Sequence, residues 1–415
     1  MADDLTPVLS QEEGTALSDT EIRRWLALPS QQQPGWAADP GLPSVRRELS
    51  ARSPLVGWEE VRTLNALLAG VAEGKFQVIQ AGDCAEEPSE CAAVPVSRKI
   101  GLLDALAGVM QINVDKPLIR VGRIAGQFAK PRSEAMETVD GVQLPVYRGH
   151  LVNSPEPEPA GRRADPRRML DAYDASRRAM ALLRGRSGDA PVPMDALVWT
   201  SHEALVLDYE LPMVRRSSDG KQLLASTHWP WIGERTRQPD GAHVRLLGSV
   251  INPVSCKVGP NVSPQDVVEL CRLLDPERTP GKLTLIARMG ADVVTERLPR
   301  LVAAVHAAGH PVIWMCDPMH GNTVRGPGGV KTRLVKTMRR ELQGFLQAVD
   351  AAGGVAGGLH LESTPHNVTE CIWDETELSQ LRPESGPLCD PRLNPWQALA
   401  VATCWEAPAD AKPSD

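Results

Sequence analysis

No apolar run in the 415-residue sequence approaches the roughly 18–20 residues that a membrane span needs. The acidic start, MADDLTPVLSQEEG, lacks the basic and apolar regions of a secretory signal. Positive charge is not in excess either: 45 Lys and Arg stand against 52 Asp and Glu, a formal net charge of -7. Such a chain has no global basic field for nucleic acid or an anionic membrane, so any anion it binds is held by a local cluster. Eight scattered Cys make no disulfide framework, and a reducing cytoplasm is the expected compartment. The phosphate-binding pattern G-x-G-x-x-G does not follow the first apolar strand, which disfavours an open dinucleotide-type sheet. What is present, 42% hydrophobic and 23% charged residues, is enough to build a large globular core.

Residues 1–57 are rich in Pro, Gln, Ser and charge and read as an N-terminal extension wrapped on a core. One helix is expected there, with Ser18 as N-cap, Glu21 three residues on, and Ile22, Trp25 and Leu26 on one face. From 58 to 405 amphipathic stretches alternate with short apolar runs that end in polar clusters. The stripe Val61, Leu64, Leu67, Leu68 and Val71 precedes FQVIQAGDCAE, and Ile100, Leu103, Leu106 and Met110 precede PLIRVGRIAGQ. Six further runs follow: ALVWTSHE, STHWPWIGER, VINPVSCKVGP, KLTLIARMG, PVIWMCDPMHGN and VAGGLHLE. Helix starts are expected at Asp165–Pro166, ending at Gly185, and at Ser263–Pro264. Another is expected around Leu298 with Pro299 in its first turn. Eight buried strands alternating with helices predict a (β/α)8 barrel. The long interval from Arg123 to His202 predicts an insertion around 131–195, in which NSPEPEPAGRRADP reads as a solvated loop, and 406–415 reads as a disordered tail.

Barrel enzymes carry their chemistry at the C-terminal strand ends. Those ends here are Cys84, Arg123, Glu203, Glu234 with Arg235, Lys257, Arg288, His320 and Glu362. Any one of the cations Arg123, Arg235, Lys257 and Arg288 also fits a rim ion pair. All four on one mouth imply a multiply charged anion, which Arg forks grip bidentately. Cys84, His320, Glu362 and Asp390 offer a thiol, an imidazole and two carboxylates, a set suited to a divalent transition metal. Their wide separation supplies no local motif, and taken singly Cys84 reads more readily as a small buried hydrophobe and His320 as a satisfied loop histidine. His360, on the same strand side as Glu362, competes as a ligand, as does Cys389. Were Cys389 beside Cys84, the pair could form a disulfide in the absence of metal. The turn GQFAKPRSE adds Lys130, Arg132 and Ser133, suited to a second phosphate or, as plainly, to a solvated basic loop.

Nine runs, in order over about residues 55–405, resemble class II 3-deoxy-D-arabino-heptulosonate-7-phosphate (DAHP) synthases. They are QAGDCAE, RVGRIAGQFAKPRS, WTSHEALVLDYE, WIGERTRQPDGAH, NPVSCKVGPN, LTLIARMG, CDPMHGNT, GLHLE and CDPRLNPWQAL. The resemblance implies a (β/α)8 barrel with an N-terminal extension that condenses phosphoenolpyruvate with erythrose 4-phosphate, the entry step of the shikimate pathway. It implies a divalent metal, Mn2+ or Co2+, on Cys84, His320, Glu362 and Asp390. Phosphoenolpyruvate would be held by Arg123, Glu234, Arg235, Lys257 and Arg288, and erythrose 4-phosphate by Lys130, Arg132 and Ser133. Proton transfer would fall to Glu203 or Glu234 at the attacking water and to Asp317 or His320 at the aldehyde oxygen. The short connections after Lys130 and from Ala204 to Trp231 resemble members tied to secondary metabolism, such as phenazine gene clusters. A homo-oligomer, dimer or tetramer, is implied as well. The rival readings are an aminated analogue of the same condensation and a non-catalytic phosphosugar-binding subunit.

Overall fold

The computed structural model describes residues 14–139, 141–185, 197–381 and 389–406. The expected tail beyond Glu406, residues 1–13 of the extension and residues 186–196 of the insertion lie outside the described residues. Eight parallel strands close into one barrel: β1 (Gln77–Gly82), β2 (Leu118–Arg123), β3 (Val198–Glu203), β4 (Trp229–Ile232), β5 (Val254–Val258), β6 (Leu283–Ala287), β7 (Ile313–Cys316) and β8 (Val355–Glu362). Each apolar run singled out in the sequence supplies one strand. β5 and β6 are buried at every position, as strands covered on both faces must be. The ring closes where β8 meets β1, with His360 opposite Gln80 and Glu362 opposite Gly82. A Cβ on Gly358 would lie 2.2 Å from the Val78 carbonyl oxygen, so the seam needs glycine there.

The helices of eight residues or more are α1 (Asp19–Leu26), α2 (Leu42–Ala51), α3 (Trp58–Ala72), α4 (Ala93–Val114), α5 (Arg168–Gly185), α6 (Ala242–Ser249), α7 (Pro264–Leu274), α8 (Val294–Ala307), α9 (Val335–Ala351) and α10 (Pro395–Ala402). The Ser18–Glu21 capping box opens α1, and Ser263 caps α7 with Pro264 in its first turn. Two starts differ from expectation. Helix α5 begins at Arg168, because Asp165 closes a turn on the Arg167 N–H at 3.0 Å before the helix starts. Helix α8 begins at Val294, which puts Pro299 inside the helix rather than in its first turn. None of the described helices is long and apolar enough to cross a membrane.

Helix α3 has a role the periodicity does not reveal. Its stripe Leu64, Leu67, Leu68 and Val71 packs on the strand starts Val78, Ile119, Trp199, Trp229 and Ile313. Its Asn65 also donates to the Ile251 carbonyl at 2.9 Å, ahead of β5. The helix therefore plugs the N-terminal floor of the barrel. Gly281, at φ 84, permits this approach, since a Cβ there would sit 2.3 Å from the Ala69 nitrogen. The extension also wraps the core from outside. Thr15–Ala16 adds an antiparallel strand to Val214–Arg216 in the β3–β4 connection, and Trp36 donates to Asp208 at 2.7 Å.

The insertion after β2 forms a hairpin, Met136–Val139 with Val142–Pro145, before α5. The run NSPEPEPAGRRADP is not uniformly solvated. Asn153 and Arg162 are buried, and Arg162 donates to the Pro155 and Glu156 carbonyls and pairs with Glu137. A single desolvated guanidinium thus pins the loop.

Candidate active site

Because all strands run parallel, their last residues meet at one rim. A cavity of about 420 Å³ opens there, lined by Arg123, Lys130, Glu203, Glu234, Arg235, Lys257, Arg288, His320, Glu362 and Asp390. At its base Glu362, at the end of β8, is fully buried. One of its oxygens accepts from Lys130 at 2.8 Å and Arg123 at 3.0 Å and lies 3.3 Å from His320 Nε2; the other accepts from Arg333 at 2.8 Å. Burial alone would raise the Glu362 carboxyl, but His320, Lys130 and Arg333 hold it well below the usual carboxylate range.

The cations differ in how they are compensated. Arg123 leans on Glu362, on the Asp83 carbonyl at 2.9 Å and on the Trp231 ring at 5.0 Å. Lys257 donates to Asp317 at 2.8 Å, and its nitrogen lies 5.9 Å from the Trp231 centroid. Arg235 donates to the Ser133 hydroxyl at 2.6 Å and Arg288 to the His320 carbonyl at 2.8 Å. Neither of these two has a carboxylate partner among the described residues, and the Arg288 Nε is buried with no acceptor. Such a pair of uncompensated guanidinium groups is a seat for an anion.

Three carboxylates divide into different states. Glu203 is buried, its Oε1 has no partner, and burial raises its carboxyl above the ordinary value despite Lys257 and Lys130 nearby. Asp317 would be raised by burial as well, yet His320 and Lys257 hold it well below the carboxylate range. It is therefore ionised, and it fixes the His320 ring through Nδ1 at 2.7 Å. Glu234 pairs with Arg237 at 2.7 Å and leaves Oε2 buried without a partner.

Cys84 Sγ and one oxygen each of Glu362 and Asp390 lie within 4.8 Å of one another. His320 falls outside that trio but faces it, at 3.3 Å from Glu362. Bonds of about 2.0–2.3 Å to a common ion put donors up to roughly 4 Å apart, so a small inward movement closes the set. One thiol, two carboxylates and a flanking imidazole fit a divalent transition ion, not calcium or magnesium. Lys130 already sets positive charge there, 2.8 Å from Glu362 and 3.3 Å from Asp390. His360 is not available as a ligand. Its Nε2 accepts from Arg123 at 2.7 Å and its Nδ1 donates to Gln80 at 2.7 Å, so both ring nitrogens are engaged. Cys389 packs beside Cys84, and both are free thiols.

The sequence pattern of the class-II DAHP synthetase family matches residues 20–196 and 189–405, nearly the whole chain. This protein belongs to the class-II DAHP synthetase family. A probable phospho-2-dehydro-3-deoxyheptonate aldolase from Pseudomonas fluorescens is 50% identical over 387 residues, covering 93% of this chain and 97% of that protein. A phospho-2-dehydro-3-deoxyheptonate aldolase from Mycolicibacterium smegmatis is 38% identical over 430 residues, covering 91% and 92%. A Streptomyces coelicolor protein of the same name is 37% identical over 426 residues, covering 91% and 95%. The solved phospho-2-dehydro-3-deoxyheptonate aldolase of Francisella tularensis shares the fold, with a TM-score of 0.50, 15% identity and coverage of 88% and 97%.

Within this DAHP synthetase the KPRS turn is divided. Lys130 points inward to the buried carboxylates, whereas Arg132 and Ser133 line a separate outer cavity with Arg148 and Arg162. The Ser133–Arg235 bond joins that cavity to the mouth. Sequence reasoning missed Arg333, which is fully buried on Glu362 and ends the second strand of a small hairpin, Thr323–Arg325 with Lys331–Arg333, between β7 and α9, outside the barrel strands. It also missed Glu86, whose carboxylate accepts the backbone N–H groups of Ala125, Gly126 and Gln127 and so shapes the loop after β2. No spacing announces either; Trp231 was legible only as a core position of β4.

Proposed function

We propose that this chain joins the methylene carbon of phosphoenolpyruvate to the aldehyde carbon of erythrose 4-phosphate, yielding DAHP and inorganic phosphate. One observation carries the reading. Arg123, Arg235, Lys257 and Arg288 line the same cavity as the carboxylates of the thiol–carboxylate cluster, and two of those cations have no carboxylate partner among the described residues. Phosphoenolpyruvate, bearing a carboxylate and a phosphate, fills such a clamp. When bound at Cys84, Glu362 and Asp390 with His320, a divalent ion, Mn2+ or Co2+, supplies Lewis acidity for the aldehyde oxygen.

The residues do the rest. Arg123 and Lys257, stacked on Trp231, orient the enol with Arg288 and Arg235, and holding both substrates in register is worth up to about 7–11 kcal/mol of barrier. As the new carbon–carbon bond forms, the adjacent carbon becomes electron-poor and water attacks it. Glu203, with its unpartnered oxygen, takes the proton of that water, with Glu234 next in line. The carbon–oxygen bond to phosphate then breaks and the ketone forms. Asp317, bonded to His320 Nδ1 and to Lys257, is placed to pass the proton of the new hydroxyl. Arg132, Ser133 and Lys130 serve the tetrose phosphate, the first two from the outer cavity. Among the described residues α5 is the sole long helix between β2 and β4, which supports the short form associated with secondary metabolism. Exposed Ile112 and Trp396, on the packed helices α4 and α10, support a homodimer or tetramer.

The test is phosphate release from phosphoenolpyruvate. It should require erythrose 4-phosphate, stop on chelation and return with Mn2+ or Co2+. Release without the tetrose, or at full rate in chelator, refutes the proposal.

A further inference from the structure

The cluster of metal donors stands in a wall between two cavities. Beside the mouth a second cavity, of about 670 Å³, is bounded by Cys84, Cys389, Glu87, Glu90, His366 and Arg392. Asp390 lines both cavities, while Cys84 lines this side cavity and not the mouth. The thiol is therefore approached from the side.

The two approaches differ in their balance of charge. The mouth is lined by five cations, Arg123, Lys130, Arg235, Lys257 and Arg288, against four carboxylates, Glu203, Glu234, Glu362 and Asp390. The side cavity is lined by three carboxylates, Glu87, Glu90 and Asp390, against the one guanidinium of Arg392. Glu87 is exposed at its edge with no ion pair among the described residues, and the half-exposed His366 ring lies 3.7 Å from Glu90. A cleft lined by one sign of charge changes the local concentration and association rate of an ion by about 10–1000-fold.

We propose that a divalent ion reaches and leaves Cys84 and Asp390 through this side cavity, while the anionic substrates use the mouth. The inference rests on the reading of Cys84, Glu362 and Asp390 as metal donors. The mouth is lined to attract anions and repels a free dication; the side cavity does the reverse. Metal exchange and substrate turnover thus proceed by separate routes to the same carboxylates.

The experiment adds Co2+ to the metal-free full-length protein and follows the thiolate-to-cobalt absorption band by stopped flow. Glu87→Lys at the opening should slow association at least tenfold at low ionic strength, the difference shrinking as salt is raised. Val368→Trp, which fills the cavity, should slow it at every salt concentration. Glu296→Lys, on α8 away from both cavities, should leave the rate unchanged. The band should reach the same final intensity in all three, with wild-type turnover once loaded. Rates within twofold of wild type for both Glu87→Lys and Val368→Trp overturn the port. Equal slowing by Glu296→Lys overturns it too, because the whole-protein field would then be responsible. A wild-type protein without the band refutes the metal assignment itself, and the port with it. Glu87 lies outside the donor set, so its rate decides even where Val368→Trp disturbs the site.

Discussion

At their first residues the barrel strands carry Val78, Ile119, Trp199, Trp229 and Ile313, sealed beneath by α3 into an apolar floor. At or just beyond their last residues the same strands carry Cys84, Arg123, Glu203, Arg235, Lys257, Arg288, His320 and Glu362. The floor gains from excluding water, at about 25 cal/mol for each Å² of apolar surface buried. Both ends keep buried polar atoms without partners, but those of the floor are the neutral Trp199 and Trp229 indoles and the Asn65 amide oxygen, whereas those of the mouth belong to the ionisable Glu203, Glu234 and Arg288; each costs about 1–3 kcal/mol while unsatisfied, and more where it is charged. One end of each strand is built for stability; the other gives up stability to leave groups free for a ligand.

Substitutions that separate activity from stability sharpen that contrast, and ones that do not would break it. The largest effect is expected at the mouth. Cys84→Ala should lower metal-dependent turnover by at least about 10⁴-fold, roughly 5 kcal/mol of transition-state stabilisation, with an unchanged thermal melt. Full activity of this variant in chelator would end the distinction. At the floor, Trp229→Ala should cost about 3–5 kcal/mol of unfolding free energy. Its Michaelis constant for phosphoenolpyruvate should be unaltered at temperatures where it is folded, as denaturant melts and initial rates will report. Returning to the rim, Arg288→Ala should raise that Michaelis constant about 10–100-fold, the worth of roughly 1.5–3 kcal/mol for a bond to a charged group, without moving the melt.

Glu341 lies beneath the rim and tests the boundary between the two regions. On α9 it accepts from the Gly290 N–H at 2.8 Å and from Asn322 at 2.5 Å, tying together the loops that follow Arg288 and His320. Burial pushes its carboxyl up to about 7 from 4.5. A folded-state value above the unfolded one means that its contribution is complete below about 4.5 and is lost as pH rises through about 7. Glu341→Gln should flatten the fall in melting temperature across that window, an effect of up to about 3 kcal/mol. An identical pH profile for the variant would refute the assignment. The smallest change is expected from Ser133→Ala, about 0.5–1.5 kcal/mol, read as a few-fold rise in the Michaelis constant for erythrose 4-phosphate alone.

The strands were legible because each is a continuous apolar run ending in a reactive residue, and the rim residues were legible because a parallel barrel sends all strand ends to one side. The Ser18–Glu21 capping box and the Ser263 cap were legible because they are local. Arg333 and Glu86 were not, since each meets its partner through a loop whose path no periodicity encodes. His360 and Glu362 illustrate the limit well: alternation puts both on one strand side, and only the neighbours Gln80 and Arg123 turn the imidazole away from the carboxylate cluster. The stripe on α3 announced a buried face without saying whether it would join the outer ring or close the floor.

The order of apolar runs and turns, by itself, determined the strand–helix alternation, the eight staves and the residue types at their tips, because burial periodicity and caps act over a few residues. Tertiary structure decided which charges are compensated: Lys130 turned in to Glu362 and Asp390, Arg235 and Arg288 left facing the cavity, and Cys84 turned toward a separate opening. Electrostatic and hydrogen-bond partners are chosen by proximity in space, among groups as far apart in the chain as Cys84 and Asp390, and no local pattern carries that information.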